Sequence, residues 1–161
     1  HNNPMYAEEG PCIMNVNKNM LAGEVLYRKA FQAKAAGEAA DFEPAFAALK
    51  EATTLSLNLK YNEPWGQMQP IRHALGALLL EQERTDEALE VYKADLEMWK
   101  NNMWGSLGVK LCLEAKGVTG DELDAANAAF DKAAQFADNK PAATCFCAAM
   151  AGASGSCCGG A

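Results

Sequence analysis

The sequence predicts an all-α protein, three antiparallel helix hairpins over residues 1–138 and an irregular extension over 139–161. Three observations carry this. No segment alternates apolar and polar residues with period two for long enough to be a strand. Apolar residues recur instead at spacings of three, four, seven and eight, the mark of one helix face. Three segments also share a small-to-large pattern: Ala45, Leu49 and Ala52; Ala88 and Tyr92; Ala126, Phe130 and Ala133. A small residue four positions before a large one sets a dent and a knob on adjacent turns, so a neighbouring helix can approach closely. Each pattern marks the second helix of a pair.

The expected helices lie near 13–36, 42–58, 67–83, 86–100, 103–116 and 121–138, giving hairpins of about 13–58, 67–100 and 103–138. The first helix, in NKNMLAGEVLYRKAFQAKAAG, ends at Gly37, and Asp41 with Pro44 starts the second. The stretch KYNEPWGQMQP, with two prolines and a glycine, reads as an ordered corner. Ile71, Leu75, Gly76, Leu78 and Leu79 form the third helix, with Pro70 tolerated in its opening turn. Thr85 is placed to cap the fourth. Trp104, Leu107, Gly108, Leu111 and Cys112 line one face of the fifth, which Gly117 stops, and Thr119 with Glu122 reads as a capping box for the sixth. Short loops between these segments force antiparallel neighbours.

At 161 residues, half of them hydrophobic, the chain is long enough for a core of its own. A net charge of −7, with 14 basic residues scattered among 21 acidic ones, argues against nucleic acid and against an anionic membrane surface. No apolar run approaches the ~20 residues that span a bilayer. His1 in place of a Met suggests a processed or truncated start, with upstream residues or a neighbouring subunit covering the apolar first helix. Neither that start nor the six cysteines fixes a compartment, so localisation stays open.

Trp104, Leu107, Gly108 and Leu111, followed by Ala126 and Phe130, resemble the tetratricopeptide repeat pattern, and Leu75, Gly76, Leu79, Ala88 and Tyr92 look like a second copy. The copies depart from the 34-residue period: Ala45 to Ala88 is 43 residues and Ala88 to Ala126 is 38. The middle copy has Arg72 where the pattern has an aromatic. Residues 55–147 are also similar to the C-terminal part of large, functionally unassigned tetratricopeptide proteins. The resemblance implies a right-handed solenoid that grips a protein partner in its concave face, and it brings no catalytic residue.

On that expectation the first helix of each pair supplies the contact surface, with Gln69, Arg72, His73, Lys110 and Glu114 as its polar candidates. Trp65 joins them, because a large aromatic in a loop often serves recognition. His73 reads as a helix-surface or corner residue able to donate to a carbonyl of the YNEPWG turn, whereas Trp99 and Trp104 read as core knobs between hairpins. An N-terminal copper site on His1 would need His73 as its second imidazole, and a truncated start accounts for His1 better.

The tail carries Cys145, Cys147, Cys157 and Cys158. Their C-x-C and C-C spacings fit neither half of a structural zinc site, although Cu(I) or a small thiolate cluster could accept them. A disulfide joining one cysteine of each pair would close a loop of about ten residues, and four cysteines allow three pairings. Free thiols or a simple disulfide, a partner-facing patch and a metal site all stay open. No Ser-His-Asp set, phosphate loop or matched carboxylate pair forms a catalytic constellation, so neither an enzyme nor a cofactor is expected. The expected function is that of a protein-binding scaffold or accessory subunit of a larger assembly, binding through the solenoid face and the C-terminal tail. The alternative is a small thiol-dependent metal-binding or redox protein.

Overall fold

A computed structural model describes residues 10–59, 69–145 and 147. Six helices follow in order: α1 (Gly10–Ala35), α2 (Glu43–Leu57), α3 (Ile71–Glu81), α4 (Thr85–Met98), α5 (Met103–Ala115) and α6 (Asp121–Ala133), with no strand among the described residues. The chain divides into two compact units, with the boundary between Ile71 and Arg72.

The first unit is built on α1 and α2. Tyr27 is fully buried, its ring centroid 5.1 Å from Phe42 and 6.1 Å from Phe46. Val16, Ala30, Ala45, Leu49 and Ala52 complete the buried set, at the helical spacings that the sequence shows. Asp41 starts α2 as expected: its Oδ1 accepts from the Glu43 amide at 2.9 Å, with Pro44 in the first turn.

The second unit is built on α3 to α6. Its centre is Tyr92 of α4, fully buried and placed against Gly76 of α3 and Gly108 of α5. A Cβ on Gly76 would lie 2.5 Å from Tyr92 Cζ, and one on Gly108 would come closer still to the ring. Only the absence of a side chain at both positions lets three helices share one aromatic ring. Leu107, Phe130 and Ala134 form a further cluster, with Met103 and Leu111 packed on it.

Helix ends differ from expectation in three places. The Thr119–Glu122 capping box does not form; Gly120, at φ 77°, is the N-cap of α6 and no side chain caps it. Asp121, Glu122 and Asp124 in the first turn complement the positive end of the helix dipole instead. Thr85 is the first residue of α4 rather than its cap, and Arg84 occupies the cap position. Helix α6 ends at Ala133 rather than 138. Its buried stripe is Ala126, Phe130 and Ala134, and Phe136 beyond it points to solvent, so further turns would bury nothing. Trp99 and Trp104, expected in the core, are exposed, Trp104 by 44%. No helix among the described residues is long and apolar enough to cross a membrane.

Candidate functional site

Three features meet in the second unit: a buried polar cluster, a groove lined by α3 and α5, and the first residues of the C-terminal extension.

The polar cluster begins with His73, which is 5% exposed and not on the surface. Arg72 and His73 are adjacent in sequence but 100° apart on the helix, so they separate. His73 Nε2 lies 2.9 Å from Asp95 Oδ2, and its ring stacks on Trp104 at 6.1 Å and 26°. Asn102 Nδ2 donates to the same Asp95 oxygen at 2.9 Å and to the Trp99 carbonyl at 2.8 Å. The Asn102 Oδ1 accepts from the Gly105 amide at 2.6 Å, capping α5. Asp95 is fully buried, and its Oδ1 has no hydrogen-bond partner among the described residues. The cluster ties the start of α3, the end of α4 and the cap of α5 together. It offers a ligand no open imidazole, since Trp104 covers one face and Asp95 takes Nε2.

Arg72, half-buried, directs Nη1 to Met98 Sδ at 3.8 Å on α4. Lys110 and Glu114 pair loosely at 3.9 Å, and the Lys110 ammonium lies 5.5 Å from the Phe130 ring centroid, toward α6. Gln69 is exposed just before α3. Arg72, Lys110 and Glu114 thus flank the second unit rather than converge on one pocket. Trp65 lies outside the described residues.

A concave feature of this unit is lined by residues that the sequence pattern does not mark for contact. A recess of about 200 Å³ is bounded by Ala77, Leu80 and Glu81 of α3, Leu111 of α5, and Ala143 and Thr144 of the extension. The Tyr92 ring passes between Gly76 and Gly108, and its hydroxyl shares a 2.5 Å hydrogen bond with Thr144 Oγ1. Burial pushes the Tyr92 hydroxyl above its ordinary value, so it carries its proton throughout the physiological range. Thr144 and Cys145 are 3% and 4% exposed. Upstream, Lys140 Nζ bonds Asp131 Oδ1 at 3.0 Å and lies 5.5 Å from the Phe130 ring centroid. A second apolar line on α3, Ala77 and Leu80, was the one sequence signal for this groove. Its partner Thr144 had none.

Cys145 and Cys147 are joined to each other, within the C-x-C pair rather than across to the C-C pair. In this state neither presents a thiolate to a metal. No group of three or more His, Cys, Asp or Glu residues suited to a metal occurs among the described residues, outside which Cys157 and Cys158 lie.

Cys112 is a free, fully buried thiol on α5. Burial raises its pKa from the ordinary 9.0 to about 11, against a smaller opposing pull from Lys116. A raised thiol pKa means that the folded chain holds a proton that the unfolded chain releases. Stability therefore falls as pH rises from about 9 toward about 11 and is insensitive to this group below that window. Urea titrations at pH 8 and pH 10 are expected to show the loss in the native chain and a smaller one in Cys112→Ala. An equal loss in both would assign it elsewhere.

The chain matches no known family model, and no characterised protein or solved structure is detectably similar to it.

Proposed function

We propose that this chain is a non-catalytic protein-binding scaffold or accessory subunit of a larger assembly, and that α3 to α6 are two tetratricopeptide-like helix hairpins. The observation that carries the reading is the Tyr92 knob held between Gly76 and Gly108. Those residues occupy the small and large positions by which the repeat pattern packs its helices.

The order of contacts supports antiparallel pairing. His73 meets Asp95 while Gly76 meets Tyr92, and Tyr92 meets Gly108 while Asp95 meets Asn102. In each pair, moving forward along one helix moves backward along the other. Such pairing leaves α3 and α5 side by side with α4 behind them, so their remaining face is the one a partner would meet. Leu80, Leu111, Ala77 and Glu81 supply it, an apolar floor with an acidic rim.

The second reading is a thiol-disulfide role, favoured by the Cys145–Cys147 bond. The two readings part under native mass spectrometry of the chain isolated from its source without reductant or chelator. A mass that includes other polypeptides, lost in Leu80→Arg and retained when Cys145 and Cys147 become Ser, is the expected outcome. A lone chain that exchanges two electrons reversibly with a small dithiol, or that carries a metal ion, would overturn the scaffold reading.

A further inference from the structure

The first residues of the extension sit in the groove that the scaffold reading assigns to a partner. We propose that residues 141–145 are an internal ligand of the α3–α5 groove, and that a protein partner displaces them with a stretch carrying a leucine-sized side chain followed by Thr or Ser. This rests on the protein-binding reading.

Three observations carry it. Thr144 is buried although it lies beyond the last helix, and what buries it is the groove, where its hydroxyl meets that of Tyr92. Lys140 fastens the start of the segment to Asp131, and the Cys145–Cys147 bond closes its far end into a small ring. The segment is therefore a strap tied at its start by that ion pair and seated at its far end by the buried Thr144 and Cys145. Third, the strap underfills its seat: the recess of about 200 Å³ opens beside Ala143, walled by Ala77, Leu80 and Leu111.

The underfilling gives the direction of exchange. A tethered segment acts at an effective concentration on the order of millimolar, so weak contacts suffice to keep it seated. A separate chain at lower concentration must make better contacts, and the unfilled recess supplies them. A leucine at the Ala143 position would bury three more carbons there, a gain on the order of tenfold or more in affinity. The hydroxyl that follows is required because the Tyr92 hydroxyl, buried by the groove, would otherwise lose its partner.

Two synthetic peptides test this: residues 139–145 with Cys145→Ser, and the same peptide with Ala143→Leu. Each is titrated by fluorescence anisotropy onto the full native chain and onto the chain carrying Thr144→Asp, with amide exchange of residues 142–145 followed in parallel. Thr144→Asp places a carboxylate beside an apolar lining that holds no cation among the described residues, and is expected to speed exchange of those amides at least tenfold while α3 to α6 keep theirs. Both peptides should bind the variant at least tenfold tighter than the native chain, and the Ala143→Leu peptide tenfold tighter than its parent. Chain variant Ala143→Arg repeats the test without touching the Tyr92 contact. Equal affinity of the two peptides, equal binding to native and variant chains, or strap amides that stay protected in both variants would overturn the proposal. A released strap with no peptide bound, in a chain that native mass spectrometry still finds with other polypeptides, would discard the strap and keep the scaffold. Absence of both would discard both.

Discussion

Gly108→Ala is expected to lower the unfolding free energy by about 3 kcal/mol, the upper part of the range for overpacking a close-packed site. On helix propensity alone the change should stabilise α5 by ~1 kcal/mol, since alanine is the better helix former. The sign is decided by Tyr92, whose ring lies where the new methyl group must go. The ring cannot retreat, because its other side rests on Gly76 and its hydroxyl is tied to Thr144. Urea unfolding monitored by circular dichroism measures the effect. A double-mutant cycle sharpens it: Tyr92→Leu should cost less in the Gly108→Ala background than alone, because it removes the obstacle. A Gly108→Ala chain as stable as the native one would show that α4 and α5 do not approach as described.

How much of this was readable from the sequence depends on the range of the interaction involved. Six helices were legible, and α2, α3 and α5 lie within four residues of the expected bounds, because the spacing of Ala45 to Ala52 or Leu107 to Cys112 is a local property of one helix face. The small and large residues that interlock were legible too, since Gly76, Tyr92 and Gly108 stand out in any helical reading. What failed was assigning direction at the ends of helices. Trp104 sits in the first turn of α5, where burial requires another element beyond it, and it covers His73 with one face while leaving the other exposed. His73 looked like a surface residue because its partner Asp95 is 22 positions away on another helix. Thr144 was hidden more deeply. It stands in the short stretch PAATCFC, which has no helical or strand period of its own, and its partner Tyr92 is 52 residues upstream. A lone threonine in such a stretch gives no sign that a tyrosine hydroxyl waits for it.

The same range effect makes Asp95→Ala the second large perturbation, at about 3 kcal/mol, the upper part of the cost of leaving buried hydrogen-bonding groups without their acceptor. Asp95 is fully buried and accepts from Asn102 while facing His73, both at 2.9 Å on one oxygen. Alanine would strand His73 Nε2 in an interior position without a partner and open a gap under the cap of α5. Asn102 would suffer less, because its amide also reaches the Trp99 carbonyl and its oxygen caps Gly105. Asp95→Asn should therefore cost about half as much as alanine, since one carbonyl oxygen survives to accept from either neighbour. The order Ala worse than Asn, read from thermal unfolding midpoints, tests the hydrogen bonds rather than the volume. The buried Asp95 Oδ1 adds a discriminating effect: it lacks a partner among the described residues, so the native cluster carries a desolvation cost of its own. A double replacement, His73→Leu with Asp95→Leu, removes that cost together with the pair and is expected to recover much of the loss seen in Asp95→Ala. If the double variant were instead less stable than Asp95→Ala, the cluster would be holding α3, α4 and α5 in register through bonds that apolar packing cannot replace.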